Sequence, residues 1–203
     1  MAKSKTELAA AASSLDQLAA EIARCHGCKL WERATQAVCG EGNPKARIML
    51  VGEQPGDQED LAGKPFVGPA GRVLDEALEK AGVDRRDVYI TNAVKHFSWT
   101  PRGKRRMHKT PTQQEIAACL DWLEAEIRLI APEIIVCLGA TAVRTILGPD
   151  TRVLVNRGKF FDSPWGPRVL VTVHPSSILR VPAEDRAKAF ESFANDLARL
   201  RAK

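Results

Sequence analysis

The 203-residue sequence predicts an α/β fold, a three-layer α/β/α sandwich around a mainly parallel, four-stranded central sheet. Two observations carry that expectation. Runs of β-branched and aliphatic residues, each closed by a turn residue, recur along the chain, and they read as strands buried on both faces. Helical patterns separate these runs, and strand–helix alternation is how a parallel sheet covers its two faces.

Taken in order, the strands fall at 47–52 (RIMLVG), 88–94 (VYITNAV), 134–139 (IIVCLG) and 169–173 (VLVTV), the last running into His174-Pro175. Helices are expected over 71–81, 112–130 and 141–147, the second opening on Pro111-Thr112 with Glu115 as a capping signal. Residues 153–161, with an Asn156-Arg157-Gly158 turn, read as a short hairpin, and 183–200 as a closing helix. In such sheets ligands sit at the carboxyl ends of the strands. That directs attention to 52–60, 92–96 and 174–177.

Composition sets the outer bounds. With 44% hydrophobic and 27% charged residues, the chain is neither fibrous nor disordered, and its length suits one domain over 1–203. No stretch approaches the run of about 18 apolar residues that crosses a bilayer. Residues 1–24 form an amphipathic pattern broken by Glu7, Asp16 and Glu21, a helix rather than a signal peptide, so a cytoplasmic protein without a membrane partner is expected. A net charge of +5 permits nucleic-acid binding. The five cysteines are an odd number, which together with that location favours metal binding or plain burial over disulfides.

Cys25-His26-Gly27-Cys28 is a C-x2-C, and Cys119 lies early in a later helix. Thiolates at that spacing can grip one metal centre. His26, His96 and Cys39 are candidates for a fourth ligand. His96 is favoured, because His26 between the two thiolates points away from a centre they share. Cys39 and Cys137 read as small buried residues.

The turn at 52–60 (GEQPGDQED) crowds four acids after a buried strand, so at least one has a task. Glu53, at the strand end, can stabilise a cationic sugar-like transition state or orient a water; Glu59 suits a solvated turn. A basic loop over 97–110 carries Lys104, Arg105 and Arg106, follows Phe97 and Trp99, and suits phosphate contact. His108 closes it, either incidentally or held over a bound backbone. Residues 64–72 lead into a helix N-terminus, where Phe66 reads as exposed and able to stack on a base. Asn92 offers an amide that suits an imide edge. Packing or a turn is the other reading of both.

These segments together resemble the uracil-DNA glycosylase superfamily, specifically its iron–sulfur branch. The matching pieces are GEQPGDQED (52–60), GKPFVGPAGR (63–72), YITNAVKHF (89–97), PT-x5-AC (111–119) and HPSS (174–177). The insert ending Lys104-Arg105-Arg106-Met107-His108 is similar to the group called UdgX, whose members excise uracil and become covalently attached to the DNA.

The resemblance implies a 4Fe-4S cluster held by Cys25, Cys28, His96 and Cys119, with histidine at 96 where most of the branch carries cysteine. Phe66 would stack on a flipped uracil, Asn92 would read its edge, and His174 would hydrogen-bond the oxygen where charge develops. Glu53 would support the oxocarbenium-like sugar, with Gln54 and Asp57 shaping the pocket. Lys104, Arg105, Arg106, Ser176 and Ser177 would hold the DNA backbone. His108 would capture C1′ in a single turnover. The expected partners are uracil-containing DNA, single-stranded or duplex, and free uracil as product, with the protein a monomer. A multiple-turnover glycosylase and a non-catalytic damaged-DNA-binding module are the alternatives.

Overall fold

The computed structural model describes residues 4–201, so the first three and last two residues of the expected single domain lie outside it. The N-terminal segment is not one helix over 1–24. It divides into α1 (Lys5–Ala11) and α2 (Leu15–Ile22), because Ser4 and Ser14 each turn a side chain onto the backbone N–H of a first helical turn.

The chain continues through β1 (Glu41–Gly42), β2 (Ile48–Gly52), α3 (Asp57–Ala62), α4 (Pro69–Ala81) and β3 (Val88–Asn92). Then come β4 (Trp99–Arg102), β5 (Arg105–His108), α5 (Gln113–Ile130), β6 (Ile134–Leu138) and α6 (Ala140–Leu147). The last elements are α7 (Val153–Asn156), β7 (Phe160–Phe161), β8 (Arg168–Thr172), α8 (Pro175–Leu179) and α9 (Ala183–Ala198). Thr112 caps α5 in a reciprocal box with Glu115, as its sequence implies.

The sheet order is β1-β3-β2-β6-β8-β7. The four predicted strands, β3, β2, β6 and β8, pair in parallel; β1 and β7, two residues each, extend the edges antiparallel. Residues 153–161 do not form a hairpin with each other. Their first part winds into α7, and Phe160 pairs instead with Leu170 of β8, whose long apolar ladder is the better partner. The basic loop 97–110, by contrast, is a hairpin. β4 and β5 pair from Trp99↔His108 to Arg102↔Arg105 across a two-residue turn at Gly103, where φ is 60°. Its strands are charged, so apolar alternation could not announce them.

Side-chain alternation along the strands builds two cores. Leu50, Ile90, Val136 and Leu170 face α4, α8 and α9, burying Leu74, Leu78, Ile178 and Phe193. Met49, Val51, Ile135 and Val171 face α5 and α6, burying Leu123, Ile127, Val143 and Ile146. Each core aliphatic buried this way contributes about 1.5–3 kcal/mol. The parallel register ends with Gly52 opposite Asn92 and Leu138 opposite Thr172, so the following loops leave from one edge. From β2 the chain moves outward to β3, then returns to β6 on the other side, and the loops after β2 and β6 diverge over a crevice. Among the described residues, no helix is long and apolar enough to cross a membrane.

Candidate active site

Glu53 stands on that edge, one residue beyond β2. Its backbone is fixed because Val94 N–H donates to its carbonyl at 3.0 Å. One carboxylate oxygen, Oε2, accepts from the Thr141 hydroxyl; the other, Oε1, lies 3.3 Å from His108 Nε2. Burial pushes the carboxyl up, but the hydrogen bonds from His108 and Thr141 and the nearby imidazoles outweigh it and hold Glu53 below the usual range.

His174 faces Glu53 from the end of β8. Burial pushes its imidazole down to about 4, against the pull of Glu53, so the ring is neutral at neutral pH. Its tautomer follows from its partners. Nδ1 accepts the Ser176 backbone N–H at 3.2 Å and lies 2.8 Å from the Ser176 hydroxyl, which itself accepts from Arg180. Nδ1 is therefore the acceptor and Nε2 carries the proton. Ser176 and Ser177, expected on a DNA backbone, both bond His174 in this structure, Ser177 Oγ donating to the His174 carbonyl at 2.7 Å. The short α8 turn closes on its own side chains.

Phe66 is buried, not exposed, and its ring lies 5.9 Å from that of His174 at 29°. Its φ is 55°, an uncommon conformation for a bulky residue, held where Gly71 packs directly on its carbonyl. Asn92 is buried too, and its Oδ1 has no hydrogen-bond partner. A Cβ on Gly52 would meet that oxygen at 2.3 Å and Phe66 Cζ at 2.7 Å. The aromatic ring and the unpaired amide oxygen thus meet across a glycine.

The hairpin reaches this edge because three residues of the acidic turn bind it. Gln54, expected in the pocket, uses both ends of its amide elsewhere. Its Nε2 donates to the Ser98 and Lys109 carbonyls at 3.1 Å, and its Oε1 accepts from Ser98 N at 3.0 Å, so it brackets both feet of the hairpin. Asp57 accepts from Arg106 Nε at 2.6 Å, and the fully buried Asp60 accepts from Arg106 Nη1 at 2.5 Å. Arg106 also lies over Phe97 and Trp99. Gln54, Asp57 and Arg106, expected at the pocket and the phosphates, thus all join the acidic turn to the hairpin. The turn's crowded acids and the hairpin's cation satisfy each other, leaving Lys104 and Arg105 exposed near the tip.

Several contributors carried no sign of their partners in the sequence. Glu59 is buried rather than solvated. Its carboxylate accepts from Gly56 N at 3.1 Å and Gly68 N at 2.8 Å, clipping the acidic turn to the Phe66 loop. Lys95 is fully buried and donates to Glu126 at 2.7 Å, Thr91 Oγ1 at 2.8 Å and the Asn92 carbonyl at 2.8 Å. A lysine inside an apolar run and a glutamate on the apolar face of α5 were the available signals. Thr141 left none.

Of the expected cluster ligands, Cys25, His96 and Cys119 are buried and Cys28 is partly so. A hydrogen bond between Cys119 and Cys28 draws the Cys28 thiol down to about 6 and holds Cys119 up. Trp122 Nε1 donates to Cys25 Sγ at 3.1 Å. His96 is buried with no partner at Nδ1, and burial pushes it down to about 4, leaving the neutral imidazole that ligates metals. His26 instead stacks on Trp31 at 3.9 Å. Among the described residues, no three or more His, Cys, Asp or Glu close on a position for a single metal ion. Three thiols and an orphaned buried imidazole are nevertheless a donor set suited to an iron–sulfur group.

The chain matches the Uracil DNA glycosylase superfamily over residues 39–198. It is 44% identical over 160 residues to a type-4 uracil-DNA glycosylase of Thermotoga maritima, covering 78% of this chain and 80% of that one. A type-4 uracil-DNA glycosylase of Archaeoglobus fulgidus is 40% identical over 176 residues, covering 83% and 85%. A type-5 uracil-DNA glycosylase of Thermus thermophilus is 31% identical over 159 residues, covering 68% of each. A parallel sheet whose carboxyl edge gathers a carboxylate, a neutral histidine and an unpaired amide across a glycine is thus found in a chain that belongs to the uracil-DNA glycosylase superfamily.

Proposed function

We propose that this protein is a uracil-DNA glycosylase that excises uracil from DNA and then becomes bonded through His108 to C1′ of the sugar, once per molecule, as in the UdgX group its sequence resembles. The observation that carries the reading is the 3.3 Å approach of His108 Nε2 to Glu53 Oε1. A histidine that merely tipped a phosphate-binding loop has no reason to face the half-buried carboxylate of the crevice.

The uracil is flipped from the stack onto Phe66, at a cost of a few kcal/mol that stacking and edge contacts offset. Asn92, whose Oδ1 is otherwise unpaired, hydrogen-bonds the base edge. As the C1′–N1 bond breaks, its electron pair leaves with the base. The Nε2–H of His174 donates to the uracil oxygen where that charge gathers, and Glu53 lies under the cationic sugar. Glu53 Oε1 takes the Nε2 proton of His108, and the pair left on Nε2 bonds to C1′. That proton neutralises the uracil. In sum, an N–H of imidazole is exchanged for an N–C bond and free uracil departs.

Cys25, Cys28, His96 and Cys119 would hold a 4Fe-4S cluster, which supplies a cross-link between the N-terminal segment, the end of β3 and α5. Lys104 and Arg105 meet DNA phosphates, single-stranded or duplex. The protein works as a cytoplasmic monomer.

The test is a denaturing gel of the protein mixed with a uracil-containing oligonucleotide. A band that survives heat and detergent is expected, and His108→Gly is expected to remove it while still releasing uracil. Free abasic DNA over many turnovers by the unaltered protein would identify an ordinary glycosylase instead. Neither product would leave a binding module.

A further inference from the structure

We infer that Thr141 is a positioning residue for Glu53, the one that decides which carboxylate oxygen meets His108. The inference rests on the function proposed above and adds to it a residue from helix α6.

Thr141 sits where β6 gives way to α6, across the crevice from the loop that follows β2. It gets there by a sharp turn. Gly139 has φ 92°, and a Cβ on it would meet His174 Cβ at 2.9 Å, so this junction lies directly beside the end of β8. Thr141 falls in the first turn of α6 and is only 2% exposed. Its hydroxyl donates to Glu53 Oε2. A β-branched side chain on a helix has few rotamers, so the hydroxyl is a stiff support.

The consequence is an asymmetric carboxylate. With Oε2 held by the crevice wall, Oε1 is the oxygen that faces the hairpin. The charged and titratable groups facing Glu53 are His108 from β5 and His174 from the end of β8, and α6 contributes the Thr141 hydroxyl. Neither histidine can orient the carboxylate alone. His108 rides on a hairpin with an exposed tip, and His174 makes no hydrogen bond to the carboxylate and turns its Nδ1 to Ser176. Thr141 is the donor anchored in the sheet scaffold. Without it the carboxylate is free to rotate about its last bond, and its ionised form loses a hydrogen bond.

The experiment compares Thr141→Val, Thr141→Ser and the unaltered protein in single-turnover uracil release, with adduct formation followed in parallel, from pH 4 to 8. Thr141→Val is expected to slow release about tenfold and to move the acid limb of the profile up by about one pH unit. Thr141→Ser keeps the hydroxyl and is expected to restore both. In a Glu53→Gln background, Thr141→Val should add little further. If Thr141→Val does not fold, Thr141→Ala against Thr141→Ser makes the same comparison. An unmoved acid limb in the variant lacking the hydroxyl, or the same slowing in the Glu53→Gln background, overturns the inference. A missing adduct in the unaltered protein would instead overturn the covalent reading, and the release profile would still decide the role of Thr141.

Discussion

The guanidinium of Arg106 lies 2.5 Å from the fully buried carboxylate of Asp60, so the hairpin that carries His108 is latched to the turn that carries Glu53. Asp60 also accepts the Thr35 backbone N–H at 3.0 Å, which ties the latch to the N-terminal part of the chain. Arg106→Met should leave the Asp60 charge without its cation at a cost of roughly 1–3 kcal/mol. It should lower the proportion of uracil-release events that end in an adduct, while release itself continues. Thermal unfolding and the denaturing gel together measure both effects.

The inward turn of Arg106 changes what salt should do. Lys104 and Arg105 stay exposed on the hairpin, so replacing both with alanine should reduce the log–log salt slope for duplex binding by about 1.8. Adding Arg106→Met should reduce it no further. A titration of binding against salt concentration reads this directly, and a drop near 2.7 would return Arg106 to the phosphate path.

Lys95 and Glu126 form a buried ion pair beneath the strand end that carries Asn92. Glu126 also accepts from Thr91 Oγ1 at 2.8 Å and Gly40 N at 3.0 Å. Lys95→Met alone strands a buried carboxylate and should cost about 3–5 kcal/mol. Combining it with Glu126→Gln removes the charge while keeping an acceptor, and should recover part of that loss in thermal unfolding. Equal stability of the single and double variants would contradict a charge-based origin.

Gly52 admits no side chain without displacing Asn92 or Phe66. Gly52→Ala should therefore reduce uracil release about a hundredfold, since a misplacement near 1 Å in an active site has that effect. Circular dichroism should show the sheet intact.

His174 supplies a pH dependence of stability. Burial lowers its pKa in the folded state to about 4, against 6.5 for the free side chain. Between those values the unfolded chain binds more protons than the folded one, so stability declines as pH falls from 6.5 toward 4. Denaturant midpoints across that window should follow this slope, and His174→Asn should make it shallower, leaving the share of His96, which burial also holds down to about 4.

The parallel strands were legible in the chain because burial on both faces demands apolar residues at successive positions, and such runs stand out in one dimension. The cysteine spacing was legible for a similar reason, since two nearby thiols form a local pattern. The capping box of α5 lies within four consecutive residues, 112–115, and was equally plain. Polar residues behaved differently. Gln54, Asp57 and Arg106 stood in the motifs, yet which way each side chain turned depended on a hairpin whose charged strands carry no period-two signal. Ser176 and Ser177 were visible beside His174, but the curl of α8 aimed them at it. Thr141 and Glu126 carried no motif at all, and Glu59 and Lys95 stood inside motifs that said nothing of their partners. Their partners lie on other elements, and only the packing of sheet, helices and hairpin brings donor to acceptor. Apolar burial is written locally because every neighbour satisfies it alike, whereas a hydrogen bond needs one particular atom, and distance along the chain does not say where that atom will be.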